Sequence, residues 1–345
     1  MLRYERVSGS VPNVLPFLDH FRLPFDYSVA PFDDKKRRCQ EGNLGMGYHA
    51  VLGADGAIGR ATIEAIAANG LDGKALTRAD ADAMDADALT RVLSDADVVY
   101  HCVGLPYNSD LWATGFPAIS RALIMACEKT GTRIVYLDNI YLYGPAPLPV
   151  PFDETTSRQP PSRKGAARKA AVEILMEAHR AGRVRATVGR AADFYGPGAV
   201  NSPFYISFLE NMLRGKPPQV AMPEGPQHTY AYTGDIGRAL VALALDDAAY
   251  GEEFHLPVGQ AVRVSDMAAL FNEQLGTSHK VIHVPDLILR GLSVFKPLIR
   301  EVREMNYQYK SDYIMSDGKF LRRFPDFVPT SYRDGVAAMI RHFQS

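Results

Sequence analysis

The stretch His49-Ala-Val-Leu-Gly53-Ala-Asp-Gly56-Ala-Ile-Gly59 empties a short apolar run into glycines at three-residue spacing. Each glycine suits a separate demand of a strand–turn–helix unit that holds a dinucleotide. Gly53 lets the chain turn sharply off the strand, Gly56 lets the backbone approach a pyrophosphate, and Gly59 lets the following helix pack closely on the sheet. Asp55, Ala57 and Ile58 fill the turn between them. The amides that open the helix have no intrahelical partner and are ready donors for phosphate oxygens. The next residues, Ala61-Thr-Ile-Glu-Ala-Ile-Ala-Ala, continue as a helix with Ile58, Ile63 and Ile66 near one face.

Outward from this unit, apolar runs recur at Ala50–Leu52, Val98–Val103, Ile134–Leu137 and Val184–Val188. Near-continuous runs of this kind are what strands covered on both faces require, so the pattern predicts an open parallel sheet with helices on both sides. Ala118–Lys129 and Lys164–Arg180 read as amphipathic helices, the second stopped by Gly182. After about residue 196 prolines recur at 203, 217, 218, 223 and 226, which suits a substrate-capping portion. Residues 1–46 stand outside the alternation. Either they form an arm packed on the domain or a second subunit, or Met46 is the functional start.

The motifs in this order resemble the extended short-chain dehydrogenase/reductases, the NAD-dependent epimerase/dehydratase family. The carriers are the glycine turn, Tyr100-His-Cys-Val-Gly104, Tyr141-Leu-Tyr-Gly144-Pro, Gly189-Arg-Ala-Ala-Asp-Phe-Tyr195-Gly-Pro-Gly198 and Tyr230-Ala-Tyr-Thr-Gly-Asp235. The resemblance implies an α/β protein: a Rossmann-type doubly wound parallel sheet over roughly 47–195, and a small C-terminal substrate-binding portion over 196–345 with some segments returning to the sheet domain. It also implies an NAD(P) cofactor, with Val103 beside it at the end of its strand. Nucleotide choice falls at the end of the second strand, at Thr77-Arg78, where the guanidinium favours NADP over NAD. Asp82, and beyond it Asp85, is the candidate adenine contact, although a strand usual in the family is missing before it.

The family's hydride chemistry uses a Ser or Thr before Tyr-Gly and a Tyr-x-x-x-Lys on the next helix. Tyr serves as acid or base, and Lys holds ribose while lowering the Tyr pKa. In this register Lys169 fills the Lys position, Gly165 the Tyr position and Asn139 the Ser position. Asn139 can orient a substrate oxygen but cannot relay a proton. Tyr141, just beyond the strand, or solvent is then the candidate proton source. Tyr107, Trp112 and Lys164 are candidate substrate contacts, the two aromatics as a wall over the cleft or as buried packing under a loop. His101 reads as a core histidine and Asp235 as the cap of a helix beginning near Ile236.

Lys plus Arg number 38 and Asp plus Glu 39, so the charge balance gives no sign of a nucleic-acid or membrane surface, and Lys35-Lys-Arg-Arg38 reads as a solvated loop. Cys39, Cys102 and Cys127 show no metal-ligand spacing and suit a reduced, cytoplasmic setting. The expectation is an oxidoreductase for a small organic carbonyl or alcohol, and the resemblance implies a homodimer paired through the Lys169 helix. A catalytically reduced NAD(P) sensor and a cofactor-recycling epimerase or dehydratase stand as rivals.

Overall fold

The computed structural model describes residues 47–345, and at 292, 297 and 298 the backbone only. The arm-or-upstream-start question, Lys35-Lys-Arg-Arg38 and Cys39 lie outside the described residues. Six parallel strands form the central sheet in the order β2-β1-β3-β4-β5-β9. They are β1 Tyr48–Leu52, β2 Gly73–Leu76, β3 Ala96–His101, β4 Arg133–Asn139, β5 Ala186–Ala191 and β9 Glu253–His255. From β1 the chain steps one way to β2 and then back past β1 to β3. This leaves a crevice at the carboxyl ends of β1 and β3, the position where open α/β sheets bind ligands.

Alternation along the strands splits the core in two. Val51, Val98, Tyr100 and Val135 face helices α1 (Ala57–Ala68) and α5 (Thr233–Leu245), packing with Ile63, Ile66, Ile236 and Leu240. Ala50, Leu52, Val99, Ile134 and Tyr136 face α2 (Ala86–Val92), α3 (Ser109–Thr130) and α4 (Arg163–Arg180), packing with Leu89, Leu123, Val172 and Leu175. The predicted helices are thus present, and α3 starts nine residues before its predicted first residue, 118 − 109. Its start is marked by Asn108, whose side chain accepts the Leu111 N–H.

A third cluster fills the C-terminal cap. Phe204, Phe208, Met212, Tyr230, Phe271 and Met339 join a π-helical turn at Tyr205–Leu209 to α6 (Val264–Leu275) and the last helix, α10 (Tyr332–Gln344). Two short pairs stitch the cap together: β6 (Phe194–Tyr195) with β8 (Ala231–Tyr232), and β7 (Gln219–Val220) with β10 (Ile282–His283). Between them and α10 lie α7 (Asp286–Phe295), α8 (Pro297–Glu304) and α9 (Gly318–Arg323).

Asp235 differs from expectation. Helix α5 begins at Thr233, and the residue before it, Tyr232, provides no side-chain cap. Asp235 sits inside the first turn and accepts Thr330 N–H at 2.6 Å, Thr330 Oγ1–H at 2.7 Å and Arg238 Nη2–H at 2.6 Å. The carboxylate fastens the segment leading into α10 to the sheet domain, because the chain that needs a partner there is 95 residues away rather than the helix's own end.

Candidate active site

The glycine turn has the shape its spacing predicts. Gly53 adopts φ +84°, and a Cβ there would lie 2.9 Å from the Cys102 carbonyl, so β1 and β3 converge too closely for a side chain. A Cβ on Gly59 would lie 2.2 Å from the Gly53 oxygen, which locks α1 under the turn. A Cβ on Gly56 would meet only the Gly53 oxygen, at 3.4 Å, so the space above it is open. Gly56 caps α1 without a side-chain acceptor, and the first turn of the helix carries no acid. An electropositive helix end free of competing carboxylates fits a pyrophosphate. Asp55 is exposed, with its carbonyl taking Arg60 Nε–H at 3.0 Å. Ala57 lies 3.6 Å from a Cβ placed on Gly198, so the Tyr195-Gly-Pro-Gly198 loop closes one side of the turn.

At the end of β2, Arg78 is exposed and makes no ion pair among the described residues. Asp80 folds back so that its Oδ2 accepts both Thr77 N–H and Thr77 Oγ1–H at 2.8 Å. Sequence spacing gave no sign of this carboxylate at the strand end. Asp82 Oδ1 accepts Met84 N–H at 3.0 Å and Asp85 caps α2, so both shape the turn that replaces the missing strand. Val103 follows β3, half-buried beside the crevice.

Beyond β4 the chain builds a polar, tyrosine-rich centre. Asn139 Oδ1 accepts the Tyr141 N–H at 3.1 Å, which turns Tyr141 inward and leaves the Asn139 amide N–H groups as donors. The Tyr141 hydroxyl donates to Asp193 Oδ1 at 3.3 Å and shares a hydrogen bond with Tyr107. Tyr309 donates to the other Asp193 oxygen. His228 Nε2 stands 3.7 Å from that same oxygen, while its Nδ1–H donates to the Thr229 carbonyl at 2.7 Å. Burial, with the Asp193 charge beside it, holds the Tyr141 hydroxyl well above the ordinary phenol range, and Tyr309 likewise. Burial lowers His228 below the usual imidazole value. The centre therefore holds phenolic protons and a neutral imidazole around one carboxylate. A cavity of about 10 Å³, room for a single water, lies beside His228 and Tyr309.

Helix α4 presents its inward face one residue earlier than the motif register placed it. Lys164 is fully buried and Arg168 nearly so, and these i, i+4 neighbours point toward the sheet end. Gly165 accommodates no side chain at all: a Cβ would lie 2.1 Å from the Tyr141 carbonyl and 2.7 Å from Pro160. Lys169 is part-exposed and pairs with Glu173 at 3.7 Å, one turn along its own helix. The shift arises because the contact of Gly165 with the Tyr141 backbone, not the motif spacing, sets the rotation of α4.

Lys164 Nζ lies 4.5 Å over the Tyr107 ring and donates to Ser109 Oγ at 3.0 Å, Glu304 Oε2 at 2.8 Å and Glu301. Glu301 also takes the Ser109 N–H at 3.0 Å, and Glu304 takes Arg163 N–H. Two helix N-termini and a buried ammonium thus grip two carboxylates of α8. For both glutamates burial, which alone would raise the pKa, is outweighed by hydrogen bonds from Lys164 and Ser109, leaving them below the usual carboxylate range. Trp112 lies inside the first turn of α3 rather than in a loop. It is buried, its Nε1–H donates to Pro106 O at 2.8 Å, and its ring stacks with Tyr141 at 6.3 Å between centroids. Tyr107 is the more open of the two aromatics.

Arg168 donates to Asp138 Oδ1 at 2.6 Å and to the Leu137 carbonyl at 2.8 Å. Asp138 also pairs with Arg190 at 3.3 Å, Arg190 with Glu253, and Glu253 with Arg158 at 2.8 Å. This ionic chain runs under the centre from α4 across β4 and β5 to β9. His101 stacks on Tyr136 at 4.1 Å but neither ring nitrogen has a hydrogen-bond partner, and burial pushes it down to about 3. It is a core residue, though not a hydrogen-bonded one.

The sequence model of the NAD dependent epimerase/dehydratase family matches residues 49–256. No curated protein matches the chain significantly. Among solved structures the chain is similar to the Bordetella bronchiseptica enzyme WbmH in complex with NAD+, at 17% identity and a TM-score of 0.69, covering 87% of this chain and 99% of that one. It is similar to the epimerase Mth375 of Methanothermobacter thermautotrophicus at 19% identity and a TM-score of 0.72, covering 87% and 92%. A third is the UDP-glucuronic acid 4-epimerase of Bacillus cereus in complex with NAD, at 17% identity and 0.67, covering 86% and 98%. At these identities the likeness is one of fold.

Proposed function

Because the chain belongs to the NAD-dependent epimerase/dehydratase family, we propose that it is an NAD(P)-dependent oxidoreductase that reduces a small organic carbonyl or oxidises the matching alcohol. When bound, the nicotinamide supplies the hydride. The amides of Ala57 and Ile58 at the start of α1 are the groups that would hold its pyrophosphate, with Val103 beside the crevice. The observation that carries the reading is the Tyr141 hydroxyl held between Tyr107 and Asp193 at the carboxyl end of the sheet.

In the carbonyl-reducing direction Tyr141 turns its single hydroxyl proton from Asp193 Oδ1 to the developing alkoxide. Its raised pKa keeps the hydroxyl protonated at neutral pH and makes it a weaker acid than a free phenol. The Asn139 amide orients the substrate oxygen, while Lys164, its ammonium engaged by Ser109, Glu301 and Glu304, holds the Tyr107 side of the cleft in place. Lys169, pointing along its own helix, would reach a ribose only by leaving Glu173. Arg78 favours the 2′-phosphate of NADP, since the nearby Asp80 carboxylate is already engaged by Thr77.

The test is a carbonyl panel followed at the reduced-nicotinamide absorbance. NADPH is expected to be consumed, and Tyr141→Phe to lower kcat by about 10²-fold or more with cofactor affinity unchanged. Binding of NADPH without turnover on any substrate defeats the redox reading and leaves the sensor reading. Arg78→Ala is expected to weaken NADPH about tenfold and leave NADH unchanged. A cofactor-recycling reading has support in the epimerases among the structural neighbours, and NAD retained through purification would favour it.

A further inference from the structure

The outer side of α7 carries the three most exposed large apolar side chains among the described residues. Leu287, Val294 and Phe295 are 79%, 75% and 82% exposed. With Gly291 between them, they sit at i, i+4, i+7 and i+8, a single stripe on one helical face. The opposite face is anchored: Leu289 is buried with Val284 and with Ile299 of α8. The stripe is therefore the surplus apolar face of a helix whose inner face already has its core.

The charges around it are sorted by sign. On α8 the carboxylates of Glu301 and Glu304 turn inward onto Lys164 and Ser109. Asp286 is neutralised by Arg290 at 2.8 Å and Arg303 at 3.6 Å. Lys296 and Arg300, next along the chain from Phe295, are exposed and make no ion pair among the described residues. An apolar stripe bordered by unpaired cations is complementary to the boundary between acyl chains and anionic headgroups. A second protein copy would need about 800 Å² from each partner, more than a three-residue ridge on a ten-residue helix supplies.

We propose that the α7 face docks the protein on an anionic lipid surface, Leu287, Val294 and Phe295 entering the acyl boundary and Lys296 and Arg300 meeting the headgroups. The near-neutral overall charge conceals this local patch. The site does not depend on the redox reading, since it uses none of its residues.

The full-length protein is sedimented with vesicles of phosphatidylcholine alone and of phosphatidylcholine mixed with phosphatidylserine. Binding to the mixed vesicles is expected, falling about tenfold or more in the Leu287→Ser/Phe295→Ser variant. It should fall several-fold in Lys296→Glu/Arg300→Glu and with added salt. Thermal midpoints of these variants should match the parent, because the side chains are exposed. Absence of binding by the parent, or equal binding by Leu287→Ser/Phe295→Ser, overturns the proposal. So does a concentration-dependent dimer that the same variant abolishes in place of vesicle binding, which assigns the face to a second copy.

Discussion

At Gly165 a missing Cβ decides how a helix meets a strand. The Tyr141 carbonyl occupies the place where that carbon would be, so Gly165→Ala must push α4 or the 139–143 turn aside. Overpacking of this kind costs about 2 kcal/mol, and urea denaturation is expected to show it. Lys164 presents the opposite case, a side chain whose removal leaves charges behind. Lys164→Met strips the ammonium from Glu301 and Glu304. Both glutamates retain some exposure and can rehydrate, so the expected loss is about 2 kcal/mol rather than the larger figure for a fully buried pair. A loss below the scatter of the denaturation curves would show that the ion pairs do not hold the cap.

Strand β4 and helix α4 carry the ionic chain that underlies the centre. Among the described residues Asp138 is the carboxylate that Arg168 and Arg190 share, both nearly or fully buried, so Asp138→Asn leaves Arg168 without a carboxylate and Arg190 with Glu253 alone. A loss of about 3 kcal/mol in chemical denaturation is expected, against little change for Lys169→Met, whose ion pair with Glu173 is part-exposed. Elements of this sort also show what a sequence can reveal. β1, β3, β4 and β5 stand out because both faces are covered and each contains or adjoins a short apolar run. β2 (Gly-Lys-Ala-Leu) and β9 (Glu-Phe-His) end the sheet and carry polar residues, so no run marks them. The glycine turn was legible because its chemistry is local. The inward position of Lys164 and Arg168 was not, because a contact with Tyr141 sets the helix rotation. Asp193, His228, Glu301 and Glu304 reach the centre from distant segments, and only the folded chain brings them together.

For the molecule as a whole, α8 latches the cap onto the sheet domain at Lys164 and Ser109. Glu301 and Glu304 have folded pKa values below their unfolded ones. Their contribution is therefore complete above the unfolded carboxylate value and lost as pH falls through the lowered folded value. Thermal melts should decline more steeply over that acid window in the parent than in Glu301→Gln/Glu304→Gln. The double variant should also be cut faster by protease within 286–304 at neutral pH; equal slopes and equal cutting would remove the latch. The sheet that this cap closes over stops at β2, and among the described residues no strand pairs with its outer side. That side offers unsatisfied backbone groups to any extended chain that meets it, and the protein answers with a strand of four residues and an exposed Lys74. Lys74→Val is therefore expected to raise self-association in concentrated solution, read by light scattering, although the residue is remote from every site of chemistry.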